Sequence, residues 1–295
     1  MTRRTTDVLL TATAPAIWGS TYVVTTEMLP ANYPLTVALL RALPAGLLLL
    51  LIVRQLPERA WWGRIAVLGA LNFSILWAML FLAAYRLPGG VAATITSVQP
   101  LFVVFLARFF LGATVRALSV AAAVVGIGGV ALLVLTPNAR LDAIGIAAAF
   151  AAAVSMAFGT VLSRRWQPPV SALAFTAWQL TAGGLLLLPF ALWLEPPLPV
   201  LTATNWLGFA WLGLIGAAVT YIVWFRGVAR LESAAVAPLT FLSPVTAVIL
   251  GWALLGQTLS VLQVVGILVV IASIWLSQHA QRGALPPVLA APAAR

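Results

Sequence analysis

Ten apolar runs, each about twenty residues long, follow one another along this chain, and short turns separate them. They lie at about 8–27, 34–53, 63–85, 91–110, 117–136, 142–163, 171–194, 206–225, 233–255 and 260–279. An α-helix of about 20 residues crosses the roughly 30 Å hydrocarbon core of a bilayer. Inside that core a backbone must satisfy its own N–H and C=O groups, so the expected fold is an all-α integral membrane protein with ten transmembrane helices. Composition agrees, because 63% hydrophobic and 7% charged residues leave too little polar surface for a soluble domain. Pro30 and Pro34, Pro57, Pro88-Gly89-Gly90, Gly112, Pro137-Asn138, Pro168-Pro169, Pro196-Pro197 and Gly256 supply the turns. Residues 281–295 are Ala/Pro-rich and read as a disordered cytoplasmic tail.

The formal net charge of +10 could suggest a nucleic-acid partner, but the arginines sit in short loops between apolar runs, where they set orientation. With the N-terminus inside, the inner segments hold thirteen arginines (3, 4, 54, 59, 64, 108, 116, 164, 165, 226, 230, 282 and 295) and the outer ones hold two, Arg86 and Arg140. Both termini are therefore expected in the cytoplasm. Zero cysteines exclude disulfides, thiolate metal sites and a Cys nucleophile.

The chain also repeats itself. Residues 86–112 and 230–256, laid over each other at an offset of 144, agree at nine of 27 positions, among them Arg86/Arg230, Thr96/Thr240, Pro100/Pro244 and Gly112/Gly256. Apolar bias alone gives roughly three matches. Upstream, the segment around Arg41 resembles that around Gln179, and Trp18-Gly19-Ser20 falls opposite Phe158-Gly159-Thr160. Each copy is thus five helices: a first repeat over 1–137 and a second over 138–280. Five is odd, so the second copy enters from the opposite side, giving an inverted repeat. Proteins built this way are most often transporters with a site between the halves.

Candidate site residues follow from what lies at mid-membrane. Pro100 and Pro244 each remove a helical hydrogen bond, which is tolerated where neighbours or a water-filled cavity satisfy the freed carbonyl, so they are expected to act as gates. Thr96, Gln99, Thr240 and Ser243 are the polar groups beside them. Trp18, Tyr22 and Thr25 share one face of the first span, as Phe73, Trp77 and Phe81 do in the third. Trp77 is repeat-equivalent to Tyr221, Phe81 to Phe225 and Trp18 to Phe158. An aromatic box of this kind can hold a flat or apolar group, and its π-faces can hold an ammonium. The expected substrate-binding set is therefore Trp18, Tyr22, Trp77, Phe81, Thr96, Gln99, Phe158, Tyr221, Thr240 and Ser243. Arg41, the one ionisable residue well inside a span, is either a structural partner of its counterpart Gln179 or a substrate contact. No Asp, Glu or His lies at mid-span, so tight proton coupling lacks a carrier.

Taken together, these features resemble the drug/metabolite transporter superfamily in its ten-helix EamA-type branch. Trp18-Gly19, Arg41, Ala93 to Pro100, Ala237 to Pro244 and the Leu-Gly endings at Gly112 and Gly256 carry the likeness. Within the superfamily the chain is most similar to the YddG-type aromatic amino-acid exporters. The resemblance implies a bacterial inner-membrane exporter whose central cavity is walled by spans 1, 3, 4, 6, 8 and 9. Many members carry Glu after the Leu-Gly endings, where this chain has Ala113 and Gln257.

The expected function is export of aromatic or other medium-sized amino acids and related metabolites by alternating access, without tight proton coupling. Export of lipophilic cationic drugs is the alternative within the class. A membrane enzyme would need clustered Asp for a metal or a His base, and neither pattern exists, so no cofactor or metal is expected. The expected partners are a small-molecule substrate and the lipid bilayer, not nucleic acid, and a homodimer stays open.

Overall fold

The structure is a computed structural model that describes residues 3–87, 89–134 and 142–281. Pro88, the Pro137-Asn138 turn, Arg140 and the tail from residue 282 lie outside the described residues. Ten helices are long and apolar enough to span a membrane: α1 Arg3–Met28, α2 Pro34–Val53, α3 Arg59–Ala83, α4 Ala92–Leu111, α5 Ala117–Val134, α6 Ala143–Arg165, α7 Ala172–Leu194, α8 Ala203–Arg230, α9 Ser233–Leu255 and α10 Val261–Ala280. Among the described residues there is no strand. The ends come from local chemistry. Asp142 and Ser171 accept the backbone N–H of Gly145 and Ala174, and Thr202/Asn205 and Ser260/Gln263 form reciprocal caps. α4 and α9 both end through a left-handed glycine, Gly112 (φ 67°) and Gly256 (φ 64°). The following N–H reaches back to Ala107 and Gly251, 3.2 Å in each case.

Helix packing is repetitive. α2 packs along α7 and α5 along α10, α3 meets α6 as α1 meets α8, and α4 meets α6 as α1 meets α9. Close approach of α2 and α7 depends on small residues. A Cβ on Gly46 would lie 2.5 Å from the Thr181 backbone nitrogen, and one on Gly184 would lie 2.6 Å from the Leu43 Cβ. Leu51, Phe109, Leu192 and Leu268 point outward, as a bilayer-facing surface requires.

Five departures from regular α-helix cluster around the middle of the bundle. α1 breaks at Gly19, and α4 breaks at Ser97–Val98. α9 passes through a 3-10 turn at Ala237–Phe241. α3 and α8 contain π-helical stretches at Ala70–Ser74 and Trp211–Val219. At the repeat offset of 144, the α4 break falls on the end of the α9 turn, and the α3 stretch falls inside the α8 one. Pro100 follows the break in α4, whereas Pro244 follows the 3-10 turn of α9, which runs on into the helix. Both sit in the first turn of the half-helices that follow, Gln99–Leu111 and Leu242–Leu255. At Pro100 the missing N–H is one a helix start leaves unpaired, whereas at Pro244 the preceding 3-10 turn already supplies acceptors, Leu242 donating to the Leu239 and Thr240 carbonyls.

Candidate substrate cavity

A cavity of about 620 Å³ lies between the helices beside the departures in α1, α4 and α9. α1 lines it with Trp18, Tyr22 and Thr25, α3 with Trp77 and Phe81, and α4 with Thr96 and Gln99. α8 adds Tyr221, α9 adds Thr240, Ser243 and Pro244, and α2 contributes Arg41. α6 presents Ala152, Ala153 and Met156. The lining runs from these residues to Leu29, Pro30 and Ala31 in the loop after α1. No part of it comes from the first 17 residues or from the turn between α8 and α9.

Tyr221 is the hub of the aromatic wall. Its ring centre is 4.8 Å from Trp18, 4.7 Å from Phe73, 6.1 Å from Trp77 and 5.7 Å from Phe225, all tilted or edge-on. Such geometry suits the ring quadrupoles and stiffens the wall. Phe73 and Phe225 form the layer behind and are buried without lining the cavity. Phe158 also lies elsewhere, with its ring edge-on to Phe110 at 6.0 Å. Successive residues turn by about 100° around a helix, so Phe158 points roughly opposite to Met156, the residue of α6 that does face the cavity.

Arg41 is 4% exposed, and its guanidinium lies 4.5 Å over the Trp77 ring. It donates from Nη2 to the Gly216 carbonyl at 2.8 Å, and its Nε has no hydrogen-bond partner. That carbonyl lies in the π-helical part of α8, where wider winding loosens the backbone ladder. Thr220 donates to the same oxygen at 2.9 Å and accepts from the Trp18 indole N–H at 2.9 Å. Gln179 sits away from the cavity, fully buried, and its Oε1 accepts from Asn72 at 2.8 Å. Asn72 and Gly216 are separated by the repeat offset of 144, so each half sends one polar side chain onto the π-segment of the other.

Gln99 is 2% exposed; its Oε1 accepts from Thr240 at 3.4 Å and its Nε2 has no partner. Thr96 and Thr240 donate back to carbonyls of their own helices, as threonines in membrane helices often do. Pro100 is buried behind the lining, whereas Pro244 lines it.

Asn72, Thr220 and Asp7 carry structure that sequence reasoning did not single out. Asp7 is placed near a span end by the apolar pattern, but α1 starts at Arg3 and buries it to 8% exposure. It pairs with Arg226 at 2.8 Å and Arg230 at 3.3 Å, and Arg4 pairs with Glu232 at 3.4 Å. Arg164 donates to the carbonyls of Val228 and Leu231. These contacts tie α1, α6 and α8 together at the end of the bundle where Arg4 also meets Gln281.

The pattern of the family described as the EamA-like transporter family matches residues 5–135 and again 143–278. Protein PecM of Dickeya dadantii is 43% identical over 90% of both chains. The inner membrane transporter YedA of Escherichia coli is 28% identical over 88% of this chain and 86% of its own. A probable terminal-alkyne amino-acid exporter of Streptantibioticus cattleyicolor is 25% identical over 72% of this chain and 71% of its own. A solved crystal structure superposes with a TM-score of 0.81 at 21% identity, covering 94% of this chain and 98% of that one, and so shares the fold. The ten apolar helices and the double match over nearly the whole length place this chain in the EamA-like transporter family of the drug/metabolite transporter superfamily, as a transporter of the bacterial inner membrane.

Proposed function

We propose that this transporter exports amino acids or related small metabolites by alternating access, as two inverted five-helix copies over residues 1–137 and 138–280 with both termini in the cytoplasm. The observation that carries the reading is a central cavity whose walls come from both copies, at paired breaks in α4 and α9. The exchange of packing partners between the copies and the arginine-rich inner segments support the inversion and the orientation. In that orientation the cavity is open outward, and the Asp7, Arg226 and Arg230 cluster closes the cytoplasmic end. Half-helices that begin at Gln99 and Leu242 give α4 and α9 flexible points beside the cavity, with Pro100 and Pro244 keeping those points from rewinding.

Aromatic or medium-sized side chains fit the wall built on Tyr221, Trp18 and Trp77, in keeping with the similarity to a probable amino-acid exporter. Lipophilic cations fit less well, because the lining holds Arg41 and no Asp or Glu. Proteoliposomes preloaded with unlabelled phenylalanine should take up labelled phenylalanine by saturable counterflow with no imposed proton gradient. Absence of counterflow for phenylalanine and for a panel of other amino acids and metabolites would remove the reading. A substrate-driven pH change of fixed stoichiometry would overturn the uncoupled mechanism alone.

A further inference from the structure

Resting on that transport reading, we propose that Arg41 is the anion-binding residue of the cavity, and that the site takes organic carboxylates whether or not they carry an amino group. Arg41 lines the cavity, is almost wholly buried, and among the described residues has no carboxylate within ion-pair distance. A guanidinium inside a membrane protein is normally balanced by an acid or faces a ligand that balances it. Here its neighbours are neutral: the Trp77 face, which holds it at 4.5 Å, and one carbonyl, that of Gly216. Its Nε is left over.

A second observation points the same way. Gln99 lines the same cavity, is 2% exposed, and has an Nε2 donor without a partner. The cavity thus offers one full positive charge and one idle amide donor, both suited to an anion. Against them stands no lining Asp or Glu to hold an ammonium. An ammonium would meet only neutral hydroxyls, carbonyls and ring faces, the unpartnered Thr25 hydroxyl among them, and no charge that balances it. Recognition therefore rests on the carboxylate and the apolar body.

Three probes of one size separate these contributions on purified wild-type protein: 3-phenylpropanoate, phenylalanine and phenylalaninamide, followed by ligand-induced thermal stabilisation. 3-Phenylpropanoate should bind at least as tightly as phenylalanine, and the amide about tenfold more weakly or worse, since one charge-assisted contact is lost. Arg41→Met should abolish the preference for carboxylate over amide, and Arg41→Lys should restore part of it. Equal binding of the amide and the two carboxylates overturns the proposal, as does an Arg41→Met protein that keeps the wild-type preference. Should Arg41→Met fail to fold, the probe series on the wild type still decides. Binding of none of the three probes also overturns it, whereas the transport reading falls only if counterflow fails for compounds with and without a carboxylate.

Discussion

Tyr221→Ala is expected to lower transport by about tenfold or more and also to destabilise the protein by about 3–5 kcal/mol, the usual range for truncating a buried aromatic. Both effects come from one position. Tyr221 is 4% exposed and touches Trp18, Phe73, Trp77 and Phe225, so its removal leaves a void and loosens the cavity wall together. Trp77→Ala should behave similarly, because Trp77 is 2% exposed and also forms the platform under Arg41. Tyr221→Phe keeps the ring and should cost far less stability than alanine, losing only the hydroxyl's contact with Trp77. Initial rates of counterflow and thermal midpoints in the same detergent measure the two effects separately. Wild-type saturation kinetics in stable Tyr221→Ala and Trp77→Ala proteins would place these rings outside the site.

Gly19→Ala is expected to impair the transporter at least as severely, by a steric route. Gly19 has ordinary helical angles, so backbone freedom is not the reason for glycine there. A Cβ at this position would lie 2.5 Å from the Ser243 carbonyl, 2.7 Å from the Thr246 Cβ and 2.9 Å from the Ala247 nitrogen. Two of these three atoms are backbone of α9 and cannot turn aside, so α1 must move off α9. Overpacking of this kind costs about 1–3 kcal/mol. Here it also displaces Trp18 and Ser243, both of which line the cavity. Counterflow by Gly19→Ala should fall at least as far as that by Trp77→Ala, with a lower thermal midpoint. An unaltered rate and midpoint would mean that α1 and α9 separate freely at this point.

Helix number was legible from the chain, because hydropathy is a local signal, and the span limits came within five residues; the six helices that supply most of the cavity wall were implied by the family resemblance. Trp18, Tyr22, Trp77, Phe81, Thr96, Gln99, Tyr221, Thr240 and Ser243 all reach the cavity. Phe158 does not, since pairing it with Trp18 uses an alignment that leaves the 144 offset, and the turn of α6 then carries it away from Met156 and toward Phe110. The π-segments were invisible, because nothing in Ala70–Ser74 or Trp211–Val219 departs from an ordinary apolar helix. Hence the contact of Arg41 with the Gly216 carbonyl could not be read, and the sequence left Arg41 open between a structural partner of Gln179 and a substrate contact. Asp7 was hidden for another reason: its partners Arg226 and Arg230 lie more than two hundred residues away in the chain.

Alternating exposure of one cavity is the central claim, and side-specific labelling tests it most directly on a chain with no native cysteine. A cysteine at Thr26, in the cavity lining near the Leu29–Ala31 end, reports the outer side; one at Ser233, buried at the start of α9, reports the other. In the wild-type background, a membrane-impermeant maleimide added outside should label Thr26→Cys readily, and one added inside should label Ser233→Cys slowly. Asp7→Asn, which removes the charge that holds Arg226 and Arg230, should slow the first and speed the second. Labelling of both sites that is unchanged by Asp7→Asn and by saturating substrate would contradict the account.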